Sequence, residues 1–208
     1  MYKNLLRDKK FWFWVIGTTI GLSSGIIAAL LSTYTLEYLS LLGAICGLFL
    51  GFAQGLFLAK LFNQRKFAIT NHILVKWILA TTFGMSIGGG ITSLLGRFIS
   101  NRSVILTLGI LLAIIPLSFA QGFVMEWQAK KIYRWLLANL LGVLSSGAVG
   151  VFVYFLSSSI VVGLTGGGFA ALIVLLTVTT LSISLSTGFV YGGITGLFLL
   201  RLLNDSQV

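Results

Sequence analysis

Stretches of about twenty mostly apolar residues recur along the whole sequence, each as long as a helix needs to cross the roughly 30 Å hydrocarbon core of a bilayer. Little chain is left between them for anything else. Only 9% of the 208 residues are charged, and mean hydropathy is +1.04; a soluble domain carries about 25% charge. The pattern predicts an all-α integral membrane protein, a single transmembrane domain over residues 1–208.

Spans are predicted at 11–31, 39–62, 72–96, 103–127, 132–156 and 180–203. Residues 160–181 are apolar enough to form a seventh, although Gly163, Gly166, Gly167 and Gly168 weaken that stretch as a helix. With six spans, residues 160–179 become an insertion before the last: a re-entrant or surface helix, or an extension of the final helix. As the segment that departs from the pattern, it is also a candidate lid or partner-binding edge.

Fourteen Lys and Arg against four Asp and Glu give a net charge of +10. Eleven of the positives fall in alternate segments: Lys3, Arg7, Lys9 and Lys10; Lys60, Arg65, Lys66 and Lys76; Lys130, Lys131 and Arg134. The segments between hold Glu37, then Arg97 and Arg102, then the uncharged Ser157 to Ser159. The positive-inside rule places the N-terminus in the cytoplasm, and a six-span count returns the C-terminus there. Basic residues beside anionic headgroups account for the high pI without nucleic acid. The apolar stretch Phe11–Leu31 is longer than a signal peptide's core, so it reads as an uncleaved span in a bacterial inner or thylakoid membrane. Cys46 is the one cysteine, so no intrachain disulfide can form.

The odd spans share a pattern: Trp14, Gly21, Gly25; Trp77, Gly84, Gly88; Trp135, Gly142, Ser146. The even spans share another, with Gln54 before Gly55, Gln121 before Gly122 and Thr195 before Gly196. Three pseudo-repeated helical hairpins are implied, at about 11–62, 72–127 and 132–203. Small residues recur every fourth position, as in Gly43, Gly47, Gly51 and Gly55, which lets helix backbones approach closely. The chain's single proline, Pro116, is expected to kink the fourth span.

Trp77-Ile-Leu-Ala-Thr-Thr-Phe-Gly84 and Ala53-Gln54-Gly55-Leu-Phe-Leu-Ala-Lys60 resemble repeat units of a loose group of uncharacterised bacterial, often cyanobacterial, multi-pass proteins. In that group a W-x-x-A-T-x-x-G helix alternates with an A-Q-W-L-x-L-R helix; here Gly55 and Gly122 stand where Trp usually follows the Gln. The group has no established activity, so the resemblance implies the repeat and supplies no catalytic residues.

Chemistry is sparse. Lys60, Lys76, Arg97, Glu126, Arg134 and Arg201 all lie near span ends, and His72 is alone, so neither a two-His metal site nor a Ser-His dyad can be assembled. Gly21-Leu-Ser23-Ser-Gly25 matches G-x-S-x-G, but lacks that motif's strand-to-helix elbow. No enzyme and no cofactor are expected. What remains is Gln54, Gln121, Asn139 and Thr195 at similar depth. These four are interhelical glue, or the lining of a polar path or pocket for a neutral solute, or, for the two glutamines, ligands to a tetrapyrrole metal. Trp12, Trp14, Trp77, Trp127 and Trp135 gather toward cytoplasmic ends, where indoles anchor at headgroups. The function expected is a non-catalytic accessory or binding subunit whose partners are the bilayer and other membrane subunits. The alternative is an uncoupled facilitator or substrate-binding component for a small neutral or lipid-like molecule.

Overall fold

The computed structural model describes residues 9–31, 39–63, 70–99, 101–165 and 169–204. They are all-helical: α1 (Lys9–Leu31), α2 (Leu39–Asn63), α3 (Thr70–Leu95), α4 (Arg102–Val124), α5 (Ala129–Thr165) and α6 (Phe169–Asn204). Four stretches are long and apolar enough to cross a membrane: Leu39–Lys60, His72–Leu95, Ala129–Ile160 and Thr177–Leu203. Lys3, Arg7, Glu37, Arg65, Lys66, Gly166, Gly167 and Gly168, which bear on topology and on a seventh span, lie outside the described residues.

Each helix packs on its neighbour in sequence, and α6 returns to pack on α1, closing a ring. Glycines set the spacing. A Cβ added at Gly47 would stand 2.7 Å from the carbonyl oxygen of Thr81, and one at Gly84 would stand 2.5 Å from the Cα of Leu117. Gly43 sits against the Met85 carbonyl and Gly88 against Ala113, so α2, α3 and α4 meet backbone to backbone. Gly188 and Gly192 do the same for α6, against Thr19 and Val15 of α1. In hydrocarbon no hydrophobic force draws helices together, and close contact of this kind supplies the packing energy instead. The outer surface is apolar, with Ile20, Leu79, Phe83 and Phe123 each more than half exposed.

The contact between α4 and α5 is the least extensive in the ring. It is made near their turn, where the α4 helix ends in a paired reversal. Glu126 N donates to the Phe123 carbonyl at 3.0 Å and Trp127 N to the Gly122 carbonyl at 3.0 Å. That is a Schellman cap, in which the residue after the cap must adopt left-handed geometry. Glu126 does so with φ of 53°, a position usually given to glycine. The reversal folds Trp127 back onto Trp135, with ring centroids 5.7 Å apart. The α4 helix runs through Pro116 without a break in its assignment.

Residues 160–179 do not form a helix of their own. Residues 160–165 continue α5, and 169–179 open α6, which makes these two helices 37 and 36 residues long. The others have 23 to 26.

Candidate functional site

Three tryptophans fill the axis of the ring at one end. Trp14 lies edge-on to both Trp77 and Trp135, each at 6.3 Å between centroids, and to Phe57 at 5.5 Å. All three indoles are essentially inaccessible. The headgroup-anchor expectation is therefore overturned for Trp14, Trp77 and Trp135, and Trp127 is also buried, whereas Trp12 remains 42% exposed on the outer surface. The reason is the polar edge of each indole: inside the ring it finds a side-chain acceptor, so it needs no water.

Those acceptors are the polar residues singled out from the sequence. Trp77 Nε1 donates to Gln54 Oε1 at 3.3 Å, and Trp135 Nε1 donates to Gln121 Oε1 at 2.9 Å. An indole N–H can only donate, which fixes each amide's orientation and turns its nitrogen the other way. Gln54 Nε2 then donates to Thr18 Oγ1 at 3.2 Å, and Gln121 Nε2 to Thr81 Oγ1 at 3.0 Å. Each glutamine thus ties the helix before it to the helix after it: Gln54 of α2 joins α1 to α3, and Gln121 of α4 joins α3 to α5.

The third corner uses different residues. Trp14 Nε1 donates to Thr195 Oγ1 at 3.1 Å, and that hydroxyl donates onward to the Tyr191 carbonyl of its own helix at 2.8 Å. Asn139 stands four residues after Trp135, where Thr18 and Thr81 follow Trp14 and Trp77. Its Nδ2 donates to Ser118 Oγ at 3.0 Å, and its Oδ1 accepts from the Tyr191 hydroxyl. The hydroxyl-and-amide pairing of the other corners is present here with the two groups exchanged between helices. Tyr191, which occupies the space the shorter Thr195 leaves, is the member sequence reasoning missed. Its spacing of four residues before Thr195, facing the Asn139 helix, is the signal that could have found it.

Gln54, Gln121, Asn139 and Thr195 are all buried, at 2% exposure or less. The interior just beyond the Trp layer is filled by Leu50, Ile114 and Leu117. Space beside the glutamines is also taken, because Gly55 faces Leu74 and Gly122 faces Ile132. With both amide oxygens already accepting from indoles, the two glutamines are poorly placed to ligate a tetrapyrrole metal. Among the described residues no three His, Cys, Asp or Glu side chains come together. What this arrangement does chemically is hold helices. Interhelical bonds of this kind average about 0.6 kcal/mol in membranes, so the seven described here contribute roughly 4 kcal/mol.

No family model, curated relative or solved structure matches the chain.

Proposed function

We propose that the protein is a non-catalytic, membrane-embedded accessory or binding subunit of a larger membrane assembly. In this reading it spans the bilayer six times as three pseudo-repeated hairpins. Both ends lie in the cytoplasm, at a bacterial inner or thylakoid membrane. The observation that carries the proposal is that Gln54, Gln121, Asn139 and Thr195 satisfy one another's neighbours around a closed tryptophan layer, leaving no polar surface turned to a solute. The recurring Trp, the polar residue four positions on, and the acceptor on the adjacent even helix support the threefold repeat. The apolar outer surface supports contact with lipid and with other subunits.

Gentle detergent extraction of the native protein, with sizing and mass spectrometry of what travels with it, tests the proposal. Stoichiometric protein partners are the expected result. A lone particle carrying a small molecule would overturn it in favour of a facilitator or substrate-binding component.

A further inference from the structure

The two long helices overrun the rest of the ring at the end away from the tryptophans. Measured from the Trp layer, α1 runs from Trp14 to Leu31 and α3 from Trp77 to Leu95, whereas α5 runs from Trp135 to Thr165. On the return side, α2 begins at Leu39 before Gln54 and α4 at Arg102 before Gln121, whereas α6 begins at Phe169 before Thr195. The surplus is about 12 residues on α5, or about 18 Å at 1.5 Å per residue.

The level at which the other hairpins end is marked on the long one. There α5 exposes Phe152, Tyr154 and Phe155 and then presents Ser157, Ser158 and Ser159, while α6 presents Thr177, Thr179 and Thr180. Aromatic residues followed by hydroxyls are what a membrane-water boundary selects. Past that level the sequence turns apolar again, Ile160-Val-Val-Gly-Leu-Thr-Gly-Gly-Gly-Phe-Ala-Ala-Leu-Ile-Val-Leu-Leu176, and no charged residue or histidine occurs anywhere from Trp135 to Leu200. An apolar, uncharged helical tip is not stable facing water.

Tilting does not hide it. A 37-residue helix is about 55 Å long and would have to lean by about 40° to fit a bilayer of about 40–45 Å. Its mate α6 is held along the much shorter α1 by the Gly188 and Gly192 contacts, which fixes its direction.

We propose that the α5–α6 tip stands beyond the far headgroup level and is covered there by an apolar groove on another membrane protein. This rests on the accessory-subunit reading and names the surface that reading requires. The test places a cysteine at the half-exposed Ile160 (Ile160→Cys, with Ser159→Cys as a second position) in a Cys46→Ala chain. A membrane-impermeant maleimide is applied to native membrane vesicles of both orientations, and then to the purified chain in nanodiscs.

The expected result is loss of labelling in native membranes and its recovery in nanodiscs holding one copy. Labelling in both preparations means that water reaches the tip and overturns the proposal. Protection in both overturns it too, with a dimer's mass identifying a second copy as the cover and a monomer's mass identifying lipid. If stoichiometric partners co-purify while Ile160→Cys labels freely in native membranes, the tip assignment falls and the subunit reading stands. Unchanged shielding of the buried tryptophans from acrylamide shows that each variant is folded.

Discussion

Gln121 and Trp135 meet at 2.9 Å, amide oxygen to indole N–H, across the pair of helices that otherwise touch least in the ring. Elsewhere glycine contacts hold neighbouring helices along much of their length, but between α4 and α5 this bond, the Asn139–Ser118 bond and the Gly122–Ile132 contact are the chief ties. Replacing Gln121 by Leu strands the Trp135 N–H and removes the donor to Thr81. A buried group left without a partner costs about 1–3 kcal/mol. We expect Gln121→Leu to lower unfolding stability in detergent by about 2 kcal/mol. Gln54→Leu should cost less, because close glycine contacts flank it on both sides. If the two glutamines lined a solute path, the double variant would abolish flux and leave thermal unfolding nearly unchanged.

Two glycine substitutions separate packing from helix propensity. A Cβ at Gly47 would press on Thr81 and Thr82 of α3, whereas one at Gly147 meets nothing within 4 Å. Gly47→Ala should destabilise by about 1–3 kcal/mol through forced backbone separation. Gly147→Ala should be neutral or stabilising by up to about 1 kcal/mol, from helix propensity. Thermal unfolding of the two variants in one detergent checks the contrast.

Burial divides the tryptophans into sets that fluorescence can resolve. Trp14, Trp77 and Trp135 are sealed in the axis, and Trp12 lies on the outer face against Phe189, with ring centroids 6.1 Å apart. Brominated lipids should quench Trp12 strongly and the axial three weakly. Trp12→Phe should remove most of the lipid-quenchable emission. Strong residual quenching in that variant would contradict the axial packing.

Glu126 is the one non-glycine among the described residues with a left-handed backbone, at φ of 53°. That geometry costs an L-residue roughly 1–2 kcal/mol. Glu126→Gly should therefore raise unfolding stability by about 1 kcal/mol, readable by thermal unfolding.

The exchanged third corner gives a direct test of the repeat. Thr195→Gln alone overfills the space that Tyr191 occupies, and Asn139→Thr alone strands the Tyr191 hydroxyl. Together they recreate the hydroxyl-and-amide arrangement of Thr18 with Gln54. A double-mutant cycle should show the pair less destabilising than the two singles combined, with a coupling of about 1 kcal/mol. Simple additivity would count against a common ancestry of the three hairpins.

Hydropathy and helix-end signals made most of the helices legible. Spans expected at 39–62, 72–96 and 103–127 stand against Leu39–Asn63, Thr70–Leu95 and Arg102–Val124, and Asn101 caps the last of these by accepting from Val104 N at 3.2 Å. The long pair was not legible, because hydropathy cannot tell an apolar helix that ends at the headgroups from one that runs on past them. The four polar residues were visible as candidates, yet their partners were not. A tryptophan near a span end satisfies the rule for an interfacial anchor as well as it satisfies a buried bond. The distinguishing sign was local: a Thr or Asn four residues after Trp14, Trp77 and Trp135, on the same helix face.

A bundle bolted through its axis at one end has a fixed fulcrum there. The tryptophans and the amides around them leave the helices little freedom at that level, so any change in the ring's shape must be a splaying at the opposite end. It would be widest where α4 and α5 part company beyond their turn. Whatever grips the long hairpin from outside therefore holds a lever about 30 residues from its pivot, the distance from Trp135 to Thr165. A modest push on that tip reaches the sealed core as torque, while a push on the short hairpins is lost within their own turns.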